Sequence, residues 1–194
     1  MKRKTLSILV VVALLILAMP AGLAYAKAQP QNISFDLTGS WDEDGIDPDT
    51  GEPTSDYYDA SVTLTGKISD KGGAQYLTPL NGTIGINGGE YKIQLKSVKQ
   101  SEPLYSVETR YDLPYLPPYS LGGYIIQSIT SGVMEANIEG NKFIGFLQWH
   151  SSTQYDNNGE IVGEPTGGST LVLFGIAGSK YVEVSLDGDA PGIE

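Results

Sequence analysis

Residues 60 to 68 read ASVTLTGKI, in which Ala60, Val62, Leu64, Gly66 and Ile68 alternate with Ser61, Thr63, Thr65 and Lys67. A β-strand turns successive side chains to opposite faces, so a period of two describes a strand with one apolar and one wet face. It does not suit a helix, whose apolar face recurs every three to four residues. The same alternation sets Met134, Ala136 and Ile138 against Glu135, Asn137 and Glu139, and Val182, Val184 and Leu186 against Glu183 and Ser185. Between such runs lie Asn87-Gly88-Gly89, Gly140-Asn141 and Gly178-Ser179, residues that accept the positive φ of tight hairpin turns. The pattern predicts about ten strands, near 32–41, 58–68, 81–87, 90–99, 103–111, 123–131, 132–139, 142–150, 169–177 and 180–186. No segment carries a convincing helical stripe. The expected fold class is all-β: an antiparallel meander that removes its edges by closing into a barrel or by folding into a β-sandwich.

The N-terminus reads as an export signal. Met1-Lys2-Arg3-Lys4 is basic, Leu6 to Met19 is nearly uninterrupted apolar sequence, and Pro20-Ala21-Gly22 precedes the small-x-small site Ala24-Tyr25-Ala26. Cleavage after Ala26 is expected; the competing reading, an uncleaved anchor, reaches the ~20 residues of a span only if Pro20 to Ala26 joins the helix. This divides the chain into a signal peptide (1–26), a short linker (27–31), one all-β domain (32–188) and an acidic tail (189–194), with a secreted, extracytoplasmic destination. No second apolar run suggests a membrane span after signal removal. Removing residues 1–26 takes three of the 12 basic residues and none of the 23 acidic ones, so nine stand against 23 and the formal charge becomes −14. Such a field repels phosphate backbones and anionic membranes, which argues against nucleic-acid or headgroup binding. The absence of cysteine excludes disulfides, thiolate metal sites and cysteine nucleophiles.

Gly39-Ser40-Trp41, at the end of the first expected strand, resembles the G-x-W signature of the lipocalins, and the length and all-β meander suit that class. The likeness covers three residues and is architectural. A lipocalin would also place a Thr-Asp-Tyr-like motif in a later loop, a basic residue near the end and a C-terminal helix. Here Ser55-Asp56-Tyr57 lies in another loop, Lys180 is the candidate basic partner, and no terminal helix is visible. The resemblance implies a buried Trp41 at a barrel floor.

Signals of catalysis are nearly absent. His150 is the sole histidine, and no G-x-S-x-G, P-loop or H-E-x-x-H pattern occurs. Glu135 and Glu139 share a strand face, as solvated carboxylates commonly do. The chain is therefore read as non-enzymatic. Asn32-Ile33-Ser34 and Asn81-Gly82-Thr83 match the N-glycosylation pattern, which matters only in a host that glycosylates exported proteins.

Two segments carry the binding expectations. WDEDGIDPDTGEPTSD, residues 41–56, contains no cation, and calcium seeks six to eight oxygens on a loop able to wrap it. Asp42, Asp44, Asp47, Asp49 and Glu52 are the candidate ligands. An EF-type frame begun at Ser40 places Asp42, Asp44 and Gly45 correctly but fails at both ends, so any site would be irregular, and the alternative is an empty solvated loop. The second segment, YSVETRYDLPYLPPYSLGGY from Tyr105 to Tyr124, is rich in tyrosine and proline. Tyr111, Tyr115, Tyr119 and Tyr124, with Trp41, are the candidate ligand-binding residues, since aromatic rings stack on sugars and line barrel mouths; the alternative is a proline-rich cover over a barrel end. Gly51-Glu52-Pro53-Thr54 recurs as Gly163-Glu164-Pro165-Thr166, either a duplicated hairpin whose loops rim one barrel end or ordinary turn chemistry. The reading that results is a secreted, non-catalytic binding module, with calcium as the candidate stabilising ion, that takes a small-molecule or carbohydrate ligand at one barrel end. The alternative is a structural or surface-assembly protein of the cell envelope.

Overall fold

A computed structural model of the chain describes residues 29–116 and 120–193, and every regular element among them is a β-strand. In chain order these are β1 Gln31–Ile46, β2 Pro53–Lys71, β3 Ala74–Leu77, β4 Leu80–Ile86, β5 Gly89–Ser97, β6 Tyr105–Asp112 and β7 Tyr115–Leu116. They continue with β8 Ser120–Leu121, β9 Tyr124–Ile138, β10 Asn141–Tyr155, β11 Thr166–Ala177, β12 Lys180–Asp189 and β13 Gly192–Ile193. The signal peptide and Tyr119 lie outside the described residues.

The all-β antiparallel meander is as expected. Neighbouring long strands pair in sequence order: β1 with β2, β2 with β4, β4 with β5, β5 with β9, β9 with β10, β10 with β11 and β11 with β12. β12 then returns to β1, with Trp41 opposite Val184. Eight strands thus share one unbroken ring of hydrogen bonds. β6 is added outside it, pairing with the first half of β9. β7 and β8 form a small arm between β6 and β9.

Period-two alternation decides what fills the ring. Ile33, Phe35 and Leu37 of β1, Val62 and Leu64 of β2, Leu147 and Trp149 of β10 and Val182, Val184 and Leu186 of β12 belong to a single buried cluster. Each fully buried side chain of this kind contributes about 1.5–3 kcal/mol. The centre is therefore a packed core.

Closing eight strands around so narrow a core requires them to coil, and glycine supplies the room. Gly39, Gly66, Gly82, Gly132, Gly145, Gly175 and Gly188 stand at inward positions, one in each of seven ring strands. Side chains there would strike the neighbours: a Cβ on Gly82 would collide with the Thr63 carbonyl, and one on Gly145 with the Val172 carbonyl. At Gly66, Gly132 and Gly175 the space is taken by Leu80, Leu104 and Phe143.

Two expectations are corrected. The strands expected at 123–131 and 132–139 are one strand, β9, because Gly132 makes space for Leu104 instead of turning the chain. The long acidic loop is a six-residue turn, 47–52, since β1 and β2 continue their ladder from Trp41↔Tyr58 to Ile46↔Pro53. Within the acidic tail, Ile193 and Gly192 pair with Ile33 and Ser34. Of the two readings of the Gly-Glu-Pro-Thr turns, a shared rim at one end is excluded, which leaves ordinary turn chemistry. β1 and β10 run in opposite directions around the ring, so the turn after β1 and the loop after β10 lie at opposite ends. Both sites use their glycine alike, with φ of 73° at Gly51 and 78° at Gly163.

Candidate functional site

At the end of the ring where β1 turns into β2, the acidic residues are shared among separate tasks. Asp42 and Asp44 lie within strand β1, with Asp42 accepting a hydrogen bond from Ser40 Oγ at 3.3 Å. Asp47 Oδ1 accepts from the backbone N–H groups of Asp49 at 2.8 Å and Thr50 at 3.0 Å, which tightens the turn. Those N–H groups, Thr50's above all, hold the Asp47 carboxyl below the usual carboxylate range. Asp49 and Glu52 are exposed in the same turn. Among the described residues no three acidic or histidine side chains converge where an ion could sit.

A cation does reach this hairpin, and it belongs to the protein. Lys180 Nζ donates to Glu43 Oε2 at 2.8 Å and to Asp56 Oδ2 at 2.7 Å, joining the start of β12 to β1 and β2. Glu43 also accepts from Trp41 Nε1 at 2.9 Å. Trp41 itself is 5% exposed and meets Phe143 edge-on, with ring centroids 5.6 Å apart. The lysine suggested as a basic partner thus lies one carboxylate away from the tryptophan of Gly39-Ser40-Trp41. Its two carboxylates, Asp56 first, hold the Lys180 ammonium well above its ordinary value near 10.5. A raised lysine pKa gives stability that is complete below the unfolded value and lost as pH rises through the folded one. Lys180→Met is therefore expected to lower the melting temperature at pH 7, and the gap from wild type is expected to narrow only above pH ~10.4; thermal scans from pH 7 to 11 measure it.

The opposite end holds the tyrosines. β10 carries Phe143, beside Trp41, and twelve residues later Tyr155, so the two ends stand roughly 40 Å apart along the strand at ~3.3 Å per residue. Trp41 and the tyrosines consequently share no site. Tyr124 stacks on Tyr155 at 4.9 Å, and the Arg110 guanidinium lies 3.7 Å from its centroid while bonding Asp112 at 2.8 Å. Tyr124 is thereby tied to the flap formed by β6, β9 and β10. Tyr111 and Tyr115 are exposed, the first on β6 and the second on the β7–β8 arm.

A groove that no sequence pattern identified lies on the outer face. Its volume is about 670 Å³, and Val98, Pro103 and Tyr105 line it together with Val133 and Phe146. Val133 and Phe146 are direct cross-strand partners at outward positions, 57% and 40% exposed. Lys99 pairs with Glu102 at 3.0 Å in the segment that walls one side, and Gln148 supplies a polar group on the floor. The available signal was the run Phe143-Ile144-Gly145-Phe146-Leu147, apolar at both parities, which marks a strand with something to cover on each face.

Comparison of the chain with protein-family models, with curated proteins and with solved structures finds no match.

Proposed function

We propose that this protein is a secreted, non-catalytic binding module that holds a small ring-bearing ligand, a sugar or another compact molecule, in the outer groove between the 98–105 segment and strands β9 and β10. The observation that supports this reading is the exposed apolar floor of Val133 and Phe146 beside Tyr105, which is 67% exposed. A concave, largely apolar surface with a few polar groups is the usual form of a small-ligand site, and the volume falls within the ~300–1,000 Å³ typical of one. The filled ring centre favours the outer surface over an interior site.

Native mass spectrometry of the protein purified from its own source tests the proposal. Wild type is expected to retain a ligand mass that Val133→Arg loses while keeping its circular dichroism and melting temperature, because Val133 is exposed and the substitution leaves the core intact. A ligand retained equally by Val133→Arg would refute the groove. The same spectra read any retained calcium. The second reading, a structural protein of the cell envelope, is favoured by the exposed strand β6.

A further inference from the structure

We infer that β6 is a self-pairing edge through which two copies of this chain join their flaps into one continuous antiparallel sheet. β6 pairs with β9 along one side, Tyr105↔Ser131 to Asp112↔Tyr124. Leu104, just before the strand, donates its N–H to the Gln75 carbonyl at 2.7 Å, but beyond that no described strand pairs with the outer side of β6. All eight residues are exposed. An edge strand presents unpaired N–H and C=O groups, and proteins usually blunt it with proline, charged side chains (lysine above all), a bulge or a short length. YSVETRYD has no proline or lysine, and its length exceeds the usual ~5–6 residues.

The charge order identifies the occupant. Two antiparallel copies related by a two-fold axis perpendicular to the sheet must pair odd residues with odd and even with even, so that faces match. An axis at Glu108 sets Glu108 against its own copy. An axis at Arg110 sets Arg110 against Arg110 and Glu108 against Asp112. An axis at Thr109 sets each Glu108 opposite the other copy's Arg110 and each Val107 opposite the other copy's Tyr111. That arrangement gives two opposite-charge pairs on one face and two apolar–aromatic pairs on the other, with a neutral threonine pair at the centre. The strand is thus complementary to itself in that register.

The chain has no cysteine, so single substitutions report the register directly. Residues opposite each other in an antiparallel pair have Cα atoms ~4.5–5.5 Å apart, within the reach of a disulfide. Under mild oxidation Thr109→Cys is expected to form a covalent dimer efficiently, whereas Val107→Cys and Tyr111→Cys, which would face each other's native partner, are expected to crosslink at least tenfold more slowly. Sedimentation of the unmodified protein should show a concentration-dependent dimer that Glu108→Arg weakens and that Glu108→Arg with Arg110→Glu restores. A protein monomeric at every concentration with no Thr109→Cys crosslink, as expected if the edge instead receives a peptide of another protein, would overturn the inference. So would equal crosslinking at all three positions, or a dimer indifferent to the charge reversals.

Discussion

Phe143→Ala is expected to destabilise the fold by about 3–5 kcal/mol, the cost of deleting a buried aromatic ring and leaving its cavity. The ring is 2% exposed, meets Trp41 edge-on, and occupies the volume that Gly175 leaves empty, its Cδ1 lying 2.5 Å from where a Gly175 Cβ would stand. In a domain of this size each kcal/mol moves the melting temperature by about 2–4 °C, so a fall on the order of 10 °C should appear in thermal circular dichroism. A second substitution sharpens the test. Gly175→Ala should destabilise the wild type and cost less in the Phe143→Ala background, where only the Lys142 carbonyl at 2.8 Å still opposes the Cβ, because Gly175 and the ring compete for one space and must couple. Additive effects would mean that the ring does not fill the position beside Gly175.

Gly82→Val should have the second large effect, above about 3 kcal/mol, at the upper end of what overpacking costs. Its Cβ meets the Thr63 carbonyl, a backbone atom held in the β2–β4 ladder, so relief requires the ladder to open. Gly85, three residues later and facing outward, provides the control. A Cβ there would come close only to the Ser61 hydroxyl, at 3.1 Å, which can rotate away, the Gly89 and Ser61 carbonyls lying at an ordinary 3.9 Å, and alanine in a strand restricts the unfolded chain more than glycine does. Gly85→Ala is therefore expected to stay within about 1 kcal/mol of wild type. Denaturant unfolding of both variants measures the contrast, and similar losses at the two positions would show that inward glycines have no special part in closing the ring.

Much of the ring was legible because Val62, Leu64, Met134, Ala136 and Val184 face a core while their neighbours face water, and that asymmetry is what a period of two records. The signal fails where both faces meet similar surroundings. From Asp42 to Ile46 and from Pro53 to Tyr57 the β1–β2 hairpin runs on with polar residues at both parities, so nothing in its composition separates strand from loop. An expected strand boundary falls at Gly132, yet the role of this glycine is to admit Leu104, a residue 28 positions away. The Lys180 bridge was hidden for the same reason, since 137 residues separate it from Glu43. Tyr124 was recognised as an aromatic of interest, but its partners Arg110 and Tyr155 come from two other strands and engage its ring within the protein.

The closure of β12 onto β1 has a consequence for how the molecule is made. β2 can zip onto β1 as soon as both exist, whereas the other side of β1 waits for β12, which lies far along the chain, and contacts so distant in sequence form slowly. Throughout that interval the nascent chain carries a half-paired first strand able to recruit the wrong neighbour. Docking of the hairpin β11–β12 onto β1 is thus the longest-range step of ring closure, and until it happens the first strand keeps one edge open.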